Sequence, residues 1–217
     1  LINFNNSITG TFLGYQAGNV TTGADNTFVG YQAGSSNTTG TSNAAFGSAA
    51  MNFNTTGSSN SAFGNNALQN NTTGNTNSAF GLRALTSNTT GINNSAFGSD
   101  AMNSNTRGSD NATFGVESLF FNTTGAQNSA FGNFALNNNT TGSANSAFGY
   151  QALYNVGVGT SNAAFGYNSG LSLTSGSTNT LLGAFAGQSL TTGSGNIVLG
   201  YNANVLSATG SNRLNIG

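Results

Sequence analysis

Residues 71–87 read NTTGNTNSAFGLRALTS, and the rest of the chain repeats variants of this stretch. The dipeptide Phe80-Gly81 recurs seventeen residues earlier as Phe63-Gly64 and seventeen residues later as Phe97-Gly98. Glycine holds the same place in every seventeen-residue block from residue 30 to residue 217. A short, fixed period is typical of repeat architectures. The chain is therefore predicted to stack one structural unit many times.

A second glycine stands seven residues before the first in each block, as Gly74 stands before Gly81. Two interior glycines would each cost a helix about 1 kcal/mol, and the apolar clusters are too short for a helical face. Short strands separated by turns fit better, with both glycines supplying positive φ values. The predicted fold is all-β: a parallel β-solenoid in which each seventeen-residue coil pairs with its copy one coil away.

The repeat covers nearly the whole chain, so residues 1–217 are predicted to form a single repeat domain of about 12–13 coils. Gly14 lies only sixteen residues before Gly30, one residue short of the period. Residues 1–22 are accordingly predicted to form an irregular first repeat.

Two columns of identical side chains follow from this stacking. The residue before the repeating glycine is phenylalanine in eight successive blocks, and we predict that these rings form the structural core ladder: Phe46, Phe63, Phe80, Phe97, Phe114, Phe131, Phe148 and Phe165. Three residues earlier stands an asparagine, predicted to form an amide ladder: Asn43, Asn60, Asn77, Asn94, Asn111, Asn128, Asn145 and Asn162. On this interpretation Phe97→Ala lowers the free energy of unfolding by about 3–5 kcal/mol.

The composition excludes several classes of function. Charged residues make up 3% of the chain, the net charge is −1, and lysine is absent, so nothing attracts nucleic acid or an anionic membrane. The apolar runs are too short for membrane insertion. Low charge with abundant asparagine, serine and glycine is also typical of disordered chains, but the strict placement of the apolar residues favours a folded one.

The few charged residues offer little for catalysis. Arg83, Asp100 and Glu117 occupy equivalent places in successive blocks and are predicted to line up on one face. A carboxylate pair could serve acid–base chemistry, but a solvated ladder with one Arg–Asp contact is the simpler interpretation. Histidine and cysteine are absent, which removes the usual nucleophiles, bases and zinc ligands. We predict no enzyme activity, no metal and no cofactor.

The recurring Asn-Thr-Thr corner admits three interpretations. It could be a hydrogen-bonded turn of residues that favour turns. Its hydroxyls could form an exposed threonine ladder for ordered water or ice, although Arg107 and Val158 interrupt the array. Each asparagine also heads an N-glycosylation sequon, and the candidate glycan acceptors are Asn37, Asn54, Asn71, Asn88, Asn122 and Asn139.

Adjacent apolar residues in the predicted strands suggest self-association. Successive side chains of a strand face opposite ways, so Phe97 and Ala96 cannot both enter one core. Toward the ends both neighbours are large, as in Phe28-Val29 and Leu181-Leu182. A seventeen-residue coil is too narrow to cover both faces, so the predicted partner is another copy of the chain, most simply around a threefold axis.

The blocks Asn-Ser-Ala-Phe-Gly (94–98, 128–132 and 145–149) and Gly-Asn-Ile-Val-Leu-Gly (195–200) resemble the head repeats of trimeric autotransporter adhesins. Residues 201–217 look like the segment that precedes the C-terminal region of tail-fibre-like proteins, which often carry an intramolecular chaperone domain further on. The repeat here is longer than the family's common one. The resemblance implies a left-handed β-roll intertwined as a homotrimer.

Three functional hypotheses follow. The first is a non-catalytic fibre segment at a cell or virion surface, the shaft or head of an adhesin or tail fibre, with surface glycans or a host receptor as candidate contacts. The second is a subunit of an extracellular filament that polymerises end to end. The third is an ice- or carbohydrate-binding solenoid. The first depends on phenylalanine rings that stack inward, and helices, or rings directed into water, would count against this role.

Overall fold

The computed structural model describes residues 2–5 and 9–217, and the chain divides into two compact units, residues 1–110 and 111–217. Both units are built from the same coil. The described residues form strands, turns and bends without a helix. The prediction of a single repeat domain over residues 1–217 stays a prediction. Leu1 and residues 6–8 of the predicted irregular first repeat lie outside the described residues.

Each coil of the solenoid contributes one very short strand. The strands of the first unit are β1 (Ile2–Asn5), β2 (Gly10–Leu13), β3 (Thr27–Val29), β4 (Ala44–Phe46), β5 (Ser61–Phe63), β6 (Ser78–Phe80) and β7 (Ser95–Phe97). Those of the second are β8 (Ala112–Phe114), β9 (Ser129–Phe131), β10 (Ser146–Phe148), β11 (Ala163–Phe165), β12 (Thr180–Leu182), β13 (Ile197–Leu199) and β14 (Leu214–Ile216).

Strands pair in parallel with their sequence neighbours within each unit, in the register that the period predicts. Phe63 of β5 faces Phe80 of β6, and Phe131 of β9 faces Phe148 of β10, seventeen residues apart in both cases. The first pair differs: β1 runs antiparallel to β2, with Ile2 opposite Leu13. An antiparallel strand therefore covers one edge of the parallel stack in the first unit.

The two glycines of a coil have different physical roles. Gly81, just after β6, has φ 142°, a conformation closed to other residues, and an added Cβ would lie 2.4 Å from the carbonyl oxygen of Gly98. Gly74 is not among the positive-φ glycines. An added Cβ there would instead meet Asn71 Oδ1 and Gly91 O, both at 2.4 Å. The prediction that both glycines supply positive φ is thus wrong for Gly74. Glycine is required there because the adjacent coil leaves no space for a Cβ.

Three non-glycine residues of the same coil occupy the left-handed region, namely Thr76 (φ 58°), Arg83 (φ 54°) and Leu85 (φ 53°). This conformation costs an L-residue roughly 1–2 kcal/mol. Each amide is nevertheless paired with a neighbouring coil, as when Leu85 N donates to Ala101 O at 3.0 Å and Arg83 N donates to Asn65 O at 2.9 Å. The tight bends therefore leave these backbone donors satisfied.

The core of each coil is made from small strand residues and one large aliphatic side chain. Ala79 at the centre of β6 is fully buried, as are Ala84 and Leu85 after the turn. The equivalents of Leu85 form a fully buried column: Met51, Leu68, Leu85 and Met102 in the first unit, and Leu119, Leu136 and Leu153 in the second. The alternation of the strand then directs the neighbouring phenylalanine outward.

The volume of the core is shared between two positions of the coil. Where the strand centre is Ala79, the position four after the turn glycine holds Leu85, and both are fully buried. Where the strand centre is Phe28, that position holds Gly34, and a Cβ added to Gly34 would lie 2.5 Å from the Phe28 ring. In these coils a large residue at one position accompanies a small residue at the other. The coil of Ala164 and Gly170 is an exception, and a Cβ added to Gly170 would lie 2.6 Å from Leu181 of the next coil.

Candidate functional site

The phenylalanine column lies on the outer face of each unit, so the prediction that it forms the core ladder is wrong in this respect. Phe46 is 36% exposed, Phe114 44% and Phe165 41%, and the other five rings are half-buried. The interior opposite them is already filled by Ala79, Leu85 and their equivalents. The predicted loss of about 3–5 kcal/mol for Phe97→Ala is therefore too large for the single chain, because Phe97 is only half-buried.

The rings do stack as the period predicts. Centroids of Phe46 and Phe63 are 4.7 Å apart, as are those of Phe63 and Phe80, with interplanar angles of 11° and 6°. In the second unit Phe131 and Phe148 lie 4.8 Å apart at 1°. A continuous apolar column therefore faces outward along each unit.

Tyrosine side chains lie just beyond the turn glycine in several coils and form contacts of their own. Tyr15 stacks on Tyr31 with centroids 5.6 Å apart and an angle of 13°. Tyr150 stacks on Tyr167 at 5.3 Å and 14°. Phe134 meets Tyr150 edge to face at 5.9 Å in the second unit. These pairs were not predicted from the sequence, although a tyrosine after the turn glycine in adjacent coils indicates them.

The asparagine column predicted as an amide ladder lies in the interior, buried throughout. Asn77 Nδ2 donates to Asn60 Oδ1 at 3.2 Å and to Gly91 O at 2.9 Å. Its own Oδ1 accepts from the backbone N and the Nδ2 of Asn94, at 3.0 and 3.1 Å. Each carboxamide thus bonds both neighbouring coils and the corner backbone, which leaves no polar group unsatisfied.

The sequon asparagines form a second buried ladder, which makes glycan acceptor the wrong role for them in the folded chain. Asn71 Nδ2 donates to Asn54 Oδ1 at 2.7 Å and to Gly74 O at 2.9 Å, so both of its hydrogens are used inside the coil. A glycan on Nδ2 would have to displace these bonds and pass through the core. The same burial holds for Asn37, Asn54, Asn71, Asn88, Asn122 and Asn139.

This second ladder ends where asparagine is replaced by an aliphatic residue. The next three coils carry Val156, Leu173 and Leu190 in that position, all fully buried. Asn139 Oδ1 consequently faces a side chain without a donor and has no hydrogen-bond partner. An amide column passes into a hydrocarbon column without a change in the backbone.

The two threonines of each corner differ in their use. The first is half-buried or exposed and bonds the next coil, as Thr55 Oγ1 donates to Thr72 O at 2.8 Å. The second is exposed, and Thr39, Thr56, Thr73 and Thr90 form an outer column in the first unit. The hydrogen-bonded turn is therefore what the structure shows, with one exposed hydroxyl column beside it.

The charged residues give one described ion pair. Arg83 Nε and Asp100 Oδ1 are 2.9 Å apart, and Arg83 Nη2 donates to Asp100 Oδ2 at the same distance. Asp100 is nearly buried and also accepts from Ser99 Oγ at 3.1 Å and from Asn103 Nδ2 at 3.1 Å. Glu117, the third residue predicted to line up with this pair, belongs to the second unit. The pair thus ties neighbouring coils of the first unit together.

Within residues 2–5 and 9–217 no three His, Cys, Asp or Glu side chains gather as metal ligands. The same residues contain no helix with the length and apolar character needed to cross a membrane.

No family model, curated protein or solved structure matches this chain. The structure therefore establishes a β-solenoid with seventeen-residue coils, and the likeness to adhesin heads and tail fibres remains a hypothesis.

Proposed function

We propose that this chain is a non-catalytic structural segment of an extracellular fibre, the shaft or head of a surface adhesin or viral tail fibre, displayed on a cell or virion. Its coils are left-handed and its partners are copies of itself, arranged as a homotrimer. The assembled fibre, and not the single chain, contacts surface glycans or a host receptor. The inward aromatic column predicted from the sequence is absent from the single chain, and the column faces outward instead.

The observation that carries the proposal is the exposed phenylalanine column of each unit. Each unit has four of these rings. A ring of about 200 Å² that is roughly one-third exposed contributes about 65 Å², so the four together expose about 250 Å² of aromatic surface. The largest apolar patch on the surface of a soluble protein is often a functional site. A cyclic arrangement of identical chains covers such a face without leaving an open surface.

The absence of charge on this face suits a partner of the same composition. Between Glu117 and Arg213 the second unit contains no charged residue. Electrostatic attraction therefore contributes little to the choice of partner. Apolar contact and shape complementarity have to determine which partner binds. A second copy of this chain presents a matching uncharged aromatic face with the same rise per coil.

The experiment is a mass measurement by sedimentation equilibrium, with chemical crosslinking of the same sample. We expect three times the chain mass for the native protein. The double variant Phe63→Gln/Phe80→Gln should be a folded monomer, because it places two amides in the apolar interface. Phe53→Gln is the matched control, since Phe53 is 48% exposed but lies six residues after its turn glycine. A monomeric native protein, or a trimeric double variant, would contradict the proposal.

The filament alternative meets a structural obstacle at one edge. End-to-end addition needs a free parallel strand at both ends of the stack, and β1 runs antiparallel along β2 instead. Antiparallel addition of a further copy to β1 is the remaining route at this edge. An open-ended ladder of crosslinked species, in place of one closed species, would favour the filament.

The ice-binding alternative is favoured by one observation, the exposed second-threonine column Thr39, Thr56, Thr73 and Thr90. The column ends at the next coil, where exposed Arg107 occupies the equivalent place. Thermal hysteresis of the native protein that disappears in Thr56→Val/Thr73→Val would favour this alternative over the fibre.

A further inference from the structure

The exposed tyrosines are the oxidisable side chains of this chain that solvent reaches. The sequence has no cysteine, tryptophan or histidine. Its two methionines, Met51 and Met102, are fully buried. Five of the six tyrosines are at least 41% exposed. A one-electron oxidant that meets the folded chain therefore reacts at tyrosine.

Four of these tyrosines are arranged in two pairs that join adjacent coils. Tyr15 and Tyr31, in the first unit, are 63% and 53% exposed, with ring centroids 5.6 Å apart and planes within 13° of parallel. Tyr150 and Tyr167, in the second, are 41% and 49% exposed, with centroids 5.3 Å apart at 14°. The parallel register holds each pair together in the folded state. Tyr201 differs, because its described ring neighbour is Phe185, at 6.0 Å.

We propose that Tyr15–Tyr31 and Tyr150–Tyr167 are sites of oxidative coupling to dityrosine by a haem peroxidase with hydrogen peroxide. Each phenol O–H gives one hydrogen atom to the oxidised haem, and the two tyrosyl radicals join through their Cε carbons. The hydrogen on each joined carbon then moves to the phenol oxygen, which restores both aromatic rings. One hydrogen peroxide and two tyrosines yield one dityrosine and two waters.

The product is a covalent staple between neighbouring coils. The crosslink closes a loop of sixteen residues for Tyr15–Tyr31 and of seventeen for Tyr150–Tyr167. Closing a loop restricts the unfolded chain, as a disulfide does. The chain has no cysteine with which to form a disulfide. This inference is independent of the proposed function, because both partners of each pair belong to one chain.

The test is treatment of the native protein with horseradish peroxidase and hydrogen peroxide, followed by tryptic mapping. Cleavage after the three arginines separates the pairs, because Tyr15 and Tyr31 are the tyrosines of peptide 1–83, while Tyr150 and Tyr167 fall in peptide 108–213. We expect each peptide to lose two hydrogen atoms, dityrosine fluorescence to appear, and the urea midpoint to rise.

Variants assign the bonds. Tyr31→Phe should abolish the mass loss in peptide 1–83 alone, and Tyr167→Phe should abolish it in peptide 108–213 alone. Tyr201→Phe is the matched control and should crosslink like the native protein. Unchanged peptide masses under conditions that couple free N-acetyltyrosine amide would overturn the proposal. So would a mass loss that persists in Tyr167→Phe, or crosslinks that only join peptides from different chains.

Discussion

At the scale of single residues, the corner carboxamides show why asparagine recurs where other turn residues would also fit. Asn71 accepts from Asn88 Nδ2 at 2.8 Å and donates both of its own Nδ2 hydrogens. A serine has one hydrogen to donate and an ionised aspartate has none, so neither side chain can make all three of these bonds. Inside the coil a lost bond leaves a buried polar group unpaired, which costs more than the bond itself contributes.

We expect Asn71→Val to lower the free energy of unfolding by about 2–6 kcal/mol, because it leaves two buried polar groups unpaired at about 1–3 kcal/mol each. These are Asn54 Oδ1 and one Nδ2 hydrogen of Asn88, which both bond Asn71. Asn139→Val is the matched control at the end of the ladder. It strands Asn122 Oδ1 but removes the unpaired Asn139 Oδ1 and extends the aliphatic column of Val156.

Urea unfolding of the two variants measures the difference directly. The end-of-ladder substitution should cost roughly 2 kcal/mol less than the one in the middle. Equal losses at both positions would mean that the ladder contributes through packing volume and not through its hydrogen bonds.

At the scale of the coil, two positions share one interior volume. Gly34 accompanies Phe28, and Gly187 accompanies Leu181, whose side chain would meet an added Cβ at 2.7 Å. In the central coils the arrangement is reversed, with alanine in the strand and leucine or methionine after the turn. This reciprocal pattern is visible in the sequence, but the structure is what shows that the two positions share one interior volume.

The coil therefore predicts a compensating pair of substitutions. Ala79→Phe alone overpacks the core and should cost about 1–3 kcal/mol, and Leu85→Gly alone leaves a cavity worth about 2–5 kcal/mol. Together they reproduce the Phe28–Gly34 arrangement, so the double variant should lose less than the sum by about 1–3 kcal/mol. A double-mutant cycle from urea unfolding measures this coupling.

The control for that cycle combines Leu85→Gly with Ala62→Phe in the preceding coil. Ala62 shares its own interior with Leu68, so its ring does not fill the space vacated at position 85. This pair should show no favourable coupling. Equal coupling in both cycles would contradict the sharing of volume within one coil.

At the scale of the whole molecule, packing and amide ladders replace electrostatics. The chain carries seven charged residues, three basic and four acidic, and the described ion pair is Arg83 with Asp100. Arg83 is 53% exposed, and pairs of this kind contribute about 0.2–1 kcal/mol. Stability must therefore come from burial and from hydrogen bonds repeated at every coil.

The expected consequence is a weak dependence of stability on salt. Raising ionic strength from about 0.01 to about 0.15 M shortens the Debye length from roughly 30 to roughly 8 Å. The free energy of unfolding of the native chain should change by no more than about 1 kcal/mol over this range. Arg83→Gln should remove most of whatever change is seen. A larger loss of unfolding free energy in the native chain would mean that its ion pairs contribute far more to stability than the sequence indicates.

Much of the fold is contained in the sequence because a seventeen-residue period places identical side chains one above another. From that period the parallel register, the ring stacking and the Asn77 type of ladder all follow. The period also gives the absence of long helices, since glycine recurs too often for a helix. What it leaves open is the direction in which a three-residue strand faces.

Tertiary structure decided that direction, and with it the nature of the candidate site. Alternation requires Ala79 and Phe80 to face opposite ways, but it does not say which of them is inside. The narrow coil has room for one large side chain, and Leu85 in its left-handed bend already occupies it. Phe80 is therefore left outside, where its stacked column is an exposed apolar surface. The sequon asparagines, which composition alone places at the surface, lie in the core because they hydrogen-bond to one another and to the corner backbone.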